Sequence, residues 1–273
     1  MSQIAVPTNL ERFSGLSACY HANRPTPPSV ILDFLCRMAA VERPKLVVDL
    51  GCGTGLSTRI WAGRAGTVIG IEPNADMRAQ AEAEPTLSDG AETSIHYQDG
   101  LSWATGLPDG CADVVTCSQS LHWMEPDSTF AEVARILRPR GVFAALDCDW
   151  PPMSHWQADA AFDALLTRAK HLERDLDTHQ NTQRWAKDQH QARMTASGRF
   201  CYVNEACFHS IESGDAERLV GLAVSQGTVT ALLRMGYSED DLGLTALRRA
   251  AAHAFRDQVV PWYFTYRVRY GVR

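Results

Sequence analysis

A glycine-rich string after a short apolar run constrains this chain more than any other feature. Residues 45–50 are mostly apolar and rich in β-branched side chains, which is typical of a buried strand. The string that follows has glycines at alternate positions, Gly51, Gly53 and Gly55. A strand that turns abruptly into a helix needs glycine, because glycine adopts the required backbone angles and its missing side chain lets a ligand lie against the chain. The string therefore predicts a buried strand, a tight turn and a ligand-binding loop.

Two carboxylates accompany this turn. Asp49 lies inside the strand, where it suits a ligand with a positive amino group and would be an odd neighbour for a pyrophosphate. Glu72 ends the next predicted strand, where a carboxylate accepts both hydroxyls of a ribose. Taken alone, the glycine string could be a plain tight turn, and Glu72 could be a solvated strand end. The occurrence of both at this spacing favours a bound nucleoside. The G-x-G-x-G spacing also differs from the G-x-G-x-x-G fingerprint of nicotinamide-binding folds.

Strand and helix patterns alternate up to residue 147, which predicts crossover connections and a parallel sheet. The predicted strands are residues 45–50, 67–71, 94–97, 112–118 and 142–146, and the predicted helices between them are residues 55–63, 74–84 and 127–137. Thr129 and Glu132 have capping-box spacing at the start of the last helix. Residues 200–211 alternate like a strand, and residues 262–272 have a period of two that predicts an antiparallel edge strand.

The chain is predicted to be an α/β protein with four segments. These are residues 1–41 as N-terminal helices, 42–149 as the ligand-binding core, 150–199 as a helical cap insertion and 200–273 as the C-terminal completion of the sheet. Its 273 residues are 45% hydrophobic and 21% charged, which are globular proportions. The net charge of −6 disfavours nucleic acid as a partner.

Neither a signal peptide nor an apolar run long enough for a membrane span is recognisable in the sequence. The eight cysteines are scattered and form no C-x-x-C pair, which favours a reduced, cytoplasmic protein without a membrane partner.

The string Val-Val-Asp-Leu-Gly-Cys-Gly-Thr-Gly at residues 47–55 resembles motif I of the Rossmann-like S-adenosylmethionine-dependent methyltransferases. The resemblance extends over most of the chain, since residues 107–115 resemble the approach to the family's fourth strand and residues 137–142 the turn into its fifth. It implies a Rossmann-like sheet of seven mostly parallel strands with an antiparallel last strand, N-terminal lid helices and a helical cap insertion. It also implies S-adenosylmethionine as the cofactor and S-adenosylhomocysteine as the product. Glu72 matches the family's ribose-binding acid, with Pro73 beside it.

Residues 118–123, Ser-Gln-Ser-Leu-His-Trp, resemble the subgroup of trans-aconitate methyltransferase-like and natural-product methyltransferases. The stretch with Phe13-Ser14, Tyr20 and Arg24-Pro25 resembles a segment that folds over the cofactor in that subgroup. By this resemblance Tyr20 and Arg24 contact the cofactor, and Arg24 pairs with its methionine carboxylate. A helix start with a solvated arginine is the alternative. None of these motifs names a substrate.

The end of the third strand departs from the family pattern, which usually has an acid or serine after a glycine beside the adenine. The stretch here is Gln-Asp-Gly-Leu-Ser at residues 98–102. The favoured interpretation places Asp99 beside the adenine in a shifted register, together with Gly100 and Leu101. In the alternative, the backbone N–H groups of Leu101 and Ser102 contact the adenine edge and Asp99 only caps a turn.

Methyl transfer from a sulfonium is an in-line displacement, so the protein mainly has to hold the nucleophile about 3–3.5 Å from the methyl carbon. Ligands bind at the carboxyl ends of parallel strands, and we therefore expect Ser118 and Gln119 to contact the cofactor there. His122 is the candidate general base, because its ordinary pKa lies near the working pH. A histidine that packs on the cofactor without moving a proton is the alternative. Trp123 is expected to form an apolar wall.

The sequence thus predicts an enzyme that methylates a small molecule at O, N or C. No Asn/Asp-Pro-Pro-aromatic string follows the fourth strand, and the charge does not suggest the basic face that a macromolecule would need. The alternatives are a nicotinamide-dependent oxidoreductase, which the glycine spacing and Asp49 disfavour, and a non-catalytic S-adenosylmethionine-binding protein. No metal is expected, because the histidines of the cap lack H-x-x-x-H spacing. A homodimer paired through the aromatic last strand is a further interpretation.

Overall fold

The structure is a computed structural model that describes residues 17–84, 93–175 and 183–273. The Phe13-Ser14 part of the segment that resembles the subgroup lies outside the described residues. The strands are β1 (Leu46–Leu50), β2 (Thr67–Ile71), β3 (Ser94–Gln98), β4 (Ala112–Ser118), β5 (Leu137–Cys148), β6 (Tyr202–Gly214) and β7 (Val260–Val272). They form one seven-stranded sheet in the order β3-β2-β1-β4-β5-β7-β6.

Strand directions follow the prediction. The pairs β1–β2, β2–β3, β1–β4 and β4–β5 are parallel, whereas β7 runs antiparallel to β5. Parallel neighbours need crossover connections, and helices between the strands provide them. The predicted α/β fold class, a mostly parallel seven-stranded sheet with an antiparallel last strand, is confirmed.

The helices are α1 (Ser17–Asn23), α2 (Val30–Met38), α3 (Leu56–Arg59), α4 (Ala75–Ala83), α5 (Pro126–Ile136), α6 (Trp156–Asp175), α7 (His190–Ala196), α8 (Ala216–Val224), α9 (Gly227–Arg234), α10 (Glu239–Leu242) and α11 (Leu244–Phe255). Short 3-10 turns span Leu121–Trp123 and Lys187–Gln189. Within the described residues, no helix is both long enough and apolar enough to cross a membrane.

The chain divides into two compact units. Among the described residues, the sheet unit contains residues 26–84, 93–148, 184–208 and 266–273, and the helical unit contains residues 17–25, 149–175, 183 and 209–265. The helical unit holds α1, α6 and α8 to α11, with α11 packed against α6 and α8. The segment boundaries predicted from the sequence stay a prediction.

The core of the sheet unit lies between the sheet and α5. Phe130 of α5, Phe143 of β5 and Phe200 are buried together, with ring centroids 5.8–6.1 Å apart. Burying three such side chains contributes roughly 1.5–3 kcal/mol each. Val48 of β1 and Val115 of β4 belong to the same core and pair with each other in the sheet. The core therefore packs against the two strands whose carboxyl ends carry the predicted site.

The edge position predicted for the last strand is wrong. β7 lies between β5 and β6, so β6 is the edge strand on this side of the sheet. A period of two distinguishes the two faces of a strand but not its neighbours, and this is why the pattern misled. The last strand is therefore not an open edge for pairing two copies, and a homodimer as such stays a prediction.

The helix predicted over residues 127–137 lies within one residue of α5, but the predicted capping box of Thr129 and Glu132 is wrong. The helix begins at Pro126, and the N-cap is Glu125, whose carboxylate accepts hydrogen bonds from the backbone N–H groups of Asp127 and Ser128. Proline suits the first helical position, because its fixed φ is already helical and its missing N–H would have no partner there. Glu132, predicted to close a capping box, instead accepts hydrogen bonds from the Thr105 backbone and hydroxyl.

Candidate methyl-donor site

The glycine loop joins β1 to α3 at the carboxyl edge of the sheet. All three of its glycines have positive φ, +64° at Gly51, +55° at Gly53 and +77° at Gly55. The backbone N–H groups of Gly51 and Cys52 donate to the carbonyl of Ile71, the last residue of β2, at 2.8 and 3.1 Å. The turn is therefore fastened to the neighbouring strand, and only glycine adopts its backbone angles without strain.

The three glycines differ in what a side chain would meet. A Cβ on Gly51 would lie 2.7 Å from the Cβ of Ser120, and one on Gly55 would overlap the phenol oxygen of Tyr97. A Cβ on Gly53 would meet only the Met77 methyl, at 3.4 Å. The first and third glycines are therefore required by the close packing of the neighbouring side chains. The middle glycine leaves bare backbone where a ligand can approach.

Asp49 is fully buried behind this loop. Its carboxylate accepts hydrogen bonds from the hydroxyls of Ser57 and Thr58 in α3 at 2.7 and 2.8 Å, and from the hydroxyl of Thr116 in β4 at 2.9 Å. Burial raises the pKa of the Asp49 carboxyl, and the three hydroxyls oppose that rise. The carboxylate therefore ties the start of α3 to β4. Its predicted contact with a ligand amino group stays a prediction.

Glu72 follows β2 and is also buried. One carboxylate oxygen accepts the Gly53 backbone N–H at 2.8 Å, and the other accepts the Asn74 N–H at 2.9 Å. Burial raises its pKa, while the two N–H donors lower it. Since each carboxylate oxygen accepts two hydrogen bonds, the side chain has capacity for two further donors, such as the two hydroxyls of a ribose. Pro73 follows it directly and leads to Asn74, which caps α4.

The segment after β4 lies beside the glycine loop. Ser118 is the last residue of β4, and Gln119 follows with a positive φ of 55°. The hydroxyl of Ser120 donates to the carbonyl of Leu50 at 2.8 Å, so this turn contacts the residue that precedes the first loop glycine. A left-handed non-glycine residue costs roughly 1–2 kcal/mol and is frequent at functional sites.

His122 and Trp123 lie in the 3-10 turn that follows. The His122 side chain is buried, and its ring packs at 4.8 Å from the Trp123 ring. The His122 carbonyl accepts the backbone N–H of Trp185 at 2.9 Å. The predicted catalytic histidine is therefore in the same segment as Gln119, at the carboxyl end of β4.

Comparisons with known proteins agree with this geometry. Residues 48–145 match the family model described as a methyltransferase domain. An uncharacterized methyltransferase of Mycobacterium bovis is 32% identical over 129 residues, which are 47% of this chain and 49% of that protein. A protein of Saccharomyces cerevisiae named as a probable S-adenosylmethionine-dependent methyltransferase is 32% identical over 130 residues, which are 47% of this chain and 44% of that protein. The chain spans about half the length of the curated relatives it matches.

A solved structure from Anaeromyxobacter dehalogenans, described as a candidate type II methyltransferase, has the same fold. Its TM-score is 0.65 at 23% identity, and the likeness covers 91% of this chain and 97% of that one. Residues 48–145 thus match a methyltransferase domain, and the sheet has the Rossmann-like fold. The family resemblance is thereby confirmed, whereas the trans-aconitate subgroup stays a prediction.

The end of β3 does not decide between the two interpretations of the adenine contact. Asp99 is exposed, and its carboxylate lies 3.4 Å from the Arg78 guanidinium. Gly100 packs against Ile71, and Leu101 forms a bridge with Ala104. A contact of Asp99, Gly100 or Leu101 with the adenine stays a prediction.

Tyr20 and Arg24 belong to the helical unit. The Arg24 guanidinium donates to the hydroxyl and the carbonyl of Ser225 at 3.0 and 2.8 Å, and it lies over the rings of Tyr20 and Trp150 at 4.7 and 5.0 Å. With these contacts, Arg24 is not the solvated arginine of the alternative interpretation. Pairing of Arg24 with a methionine carboxylate stays a prediction.

Several polar residues of the domain were missed in the sequence. Ser57, Thr58, Thr116 and Ser120 support the glycine loop, and Lys187 contacts Gln119. The Ser57-Thr58 pair lies in the first turn of α3, two residues after the last loop glycine, and only the fold shows that both hydroxyls donate to Asp49. Lys187 had no local pattern that pointed to it. Within the described residues, no group of three or more His, Cys, Asp or Glu side chains is placed to hold a metal ion.

Proposed function

We propose that this chain is an S-adenosylmethionine-dependent methyltransferase that acts on a small molecule at O, N or C. The observation that carries the proposal is the pairing of Gly53 with Glu72. Gly53 has bare backbone with only the Met77 methyl near its Cβ position, 3.4 Å away, and its N–H donates to the Glu72 carboxylate beside it. This arrangement suits an adenosyl group that lies against the loop with its ribose hydroxyls on Glu72.

The polar groups along the carboxyl edge of the sheet follow the order of the parts of the cofactor. Glu72 at the end of β2 would hold the ribose, the glycine loop after β1 would lie under the sulfur, and Ser118 and Gln119 after β4 would contact the amino-acid end. When bound, S-adenosylmethionine supplies a methyl group on a positive sulfur. The protein then has to orient the acceptor in line and keep water away, which together lower the barrier by several kcal/mol.

His122 is proposed as the group that takes a proton from a hydroxyl acceptor. Its burial beside Trp123 places it away from bulk water at the end of β4. An acceptor amine that is already deprotonated would need no such base. A His122→Ala variant should therefore retain S-adenosylhomocysteine binding and lose most of its turnover with a hydroxyl acceptor.

A small acceptor is favoured by charge and by sequence. The net charge of −6 gives no general attraction to a polyanion. The turn after β4 reads Ser-Gln-Ser-Leu and lacks the Pro-Pro-aromatic string of enzymes that methylate amides or adenine amino groups.

Isothermal titration tests the cofactor assignment. We expect the wild type to bind S-adenosylmethionine and S-adenosylhomocysteine but not NADH, and Glu72→Gln to weaken S-adenosylhomocysteine binding about tenfold through lost charge-assisted hydrogen bonds. Glu82→Gln, an exposed carboxylate on α4, is the matched control and should bind like the wild type. Binding of NADH, or of neither sulfur compound, would overturn the proposal. Binding without production of S-adenosylhomocysteine from any acceptor would favour the non-catalytic alternative.

A further inference from the structure

The turn after β4 is contacted by a segment that lies more than 60 residues further along the chain. We call residues 184–190 the strap and residues 119–123 the β4 turn. The strap N–H of Trp185 donates to the His122 carbonyl at 2.9 Å, and the Arg184 guanidinium lies 5.1 Å from the centre of the Trp123 ring. The strap therefore contacts the turn in which the predicted catalytic histidine lies.

Lys187 makes the polar contacts of this strap. Its ammonium lies 2.5 Å from the amide oxygen of Gln119 and 2.8 Å from one carboxylate oxygen of Asp147. Asp147 is buried, and its other oxygen accepts a hydrogen bond from Arg269 at 2.9 Å. Because Asp147 fixes the ammonium, Lys187 is held in one position against Gln119.

This contact determines which way the Gln119 amide faces. A lysine ammonium only donates hydrogen bonds, so the amide atom that faces Lys187 has to be the oxygen. The NH2 group then faces away from Lys187 and donates one hydrogen bond to the Cys148 carbonyl at 3.5 Å, and an amide NH2 has a second N–H that can donate to a ligand. The backbone adds a further constraint, since Gln119 has a φ of 55° and its own N–H donates to the Leu146 carbonyl. Gln119 therefore presents a hydrogen-bond donor at the carboxyl end of β4.

The sheet order indicates which part of a ligand meets this donor. β1 lies between β2 and β4, and adjacent strands are about 4.8 Å apart, so Glu72 and Gln119 follow strands about 10 Å apart. With the ribose on Glu72 and the adenine towards β3, the amino-acid end of the cofactor extends towards β4. A carboxylate there needs hydrogen-bond donors, and the amide NH2 of Gln119 provides one.

We infer that Lys187 is a positioning residue, which orients the Gln119 amide as a donor to the carboxylate at the amino-acid end of the cofactor. This inference rests on the proposed function. It adds a residue of the strap, 68 positions away from Gln119, to the determinants of cofactor affinity.

Two ligands that differ only at one end test it. S-adenosylhomocysteine has the amino-acid end, whereas 5′-methylthioadenosine shares the adenosine and the sulfur but lacks the amino acid. In Lys187→Met we expect the dissociation constant of S-adenosylhomocysteine to rise about tenfold and that of 5′-methylthioadenosine to stay within twofold. Lys187→Arg keeps a donor-only cation and should recover most of the loss. Lys170→Met, the same change at an exposed lysine of α6, should leave both constants unchanged.

A second variant keeps the inference testable if Lys187→Met does not fold. Gln119→Glu has nearly the same shape and keeps the contact with Lys187, but it replaces the NH2 donor by an acceptor. It should weaken S-adenosylhomocysteine binding and spare 5′-methylthioadenosine. An equal loss for both ligands, or no loss for either, would overturn the positioning role while the cofactor assignment stands. A wild type that binds neither ligand would instead remove the proposed function.

Discussion

The glycine loop and the β4 turn lie side by side at the carboxyl edge of the sheet, but different forces hold them. The loop is supported by two buried carboxylates, Asp49 and Glu72, whose hydrogen-bond donors are hydroxyls and backbone N–H groups. The β4 turn is supported by charges, since Lys187 links Gln119 to the ion pair of Asp147 and Arg269.

This difference appears in the pKa values. Neutral donors do not fully offset burial, so the pKa values of Asp49 and Glu72 are raised. In the strap, burial likewise disfavours the charged form and lowers the pKa of the His190 imidazole to about 4, but there the Asp147 carboxylate opposes the shift and the cations Arg269, Arg193 and Lys187 add to it. The comparison teaches that the loop depends on correct placement of uncharged donors, whereas the strap region depends on a balance of charge.

Removal of the Asp49 carboxylate tests the loop side of the comparison most severely. Asp49→Ala leaves the hydroxyls of Ser57, Thr58 and Thr116 without their acceptor in the interior. We expect the free energy of unfolding to fall by about 3–5 kcal/mol, measured by urea denaturation at pH 7. Asp49→Asn keeps the shape and one acceptor oxygen, so its loss should be less than half as large. A loss below about 1 kcal/mol in Asp49→Ala would show that these three hydrogen bonds do not hold the loop.

Gly51 and Gly53 separate the two roles of the loop. Gly51→Ala places a methyl against Ser120 at a positive φ, and we expect a stability loss of about 2–3 kcal/mol. Gly53→Ala has room for its methyl and should lose only about 1 kcal/mol through its backbone angle. In the proposed binding mode the cofactor lies against the Gly53 backbone, so the added methyl should weaken S-adenosylhomocysteine binding by titration at least tenfold. If Gly53→Ala bound S-adenosylhomocysteine with wild-type affinity, the cofactor would not lie against this part of the loop.

The same contrast explains how far the sequence could predict the site. The three glycines and Glu72 could be recognised because they form a local sequence pattern, and the hydrogen bonds of the loop N–H groups reach only Ile71 and Glu72 of the next strand and turn. Lys187 could not, because its partners Gln119 and Asp147 are brought to it only by the folded sheet, and its surroundings were interpreted as a cap. The order of β7 and β6 was missed for a similar reason, since alternation carries no information on neighbours.

His190 tests the charged side of the comparison. Its side chain is 1% exposed, and among the described residues neither ring nitrogen has a hydrogen-bond partner. Burial lowers its pKa to about 4, the Asp147 carboxylate opposes the shift, and the cations Arg269, Arg193 and Lys187 add to it. The imidazole is therefore neutral in the folded state at pH values where the unfolded chain already binds a proton.

The sign of the pH effect follows from linkage. Because the folded pKa lies below the ordinary value of 6.5, protonation favours the unfolded state, and stability falls as the pH drops from 6.5 towards about 4. We expect His190→Leu to be relatively more stable at pH 5 than at pH 7 by about 2 kcal/mol, when each is compared with the wild type by urea denaturation. His253→Leu, at an exposed position of α11, is the matched control. Asp49 and Glu72 cancel in this difference, because their raised pKa values add stability towards low pH in every variant alike. A His190→Leu variant with the same pH dependence as the wild type would mean that the imidazole beside the charged cluster is not held neutral.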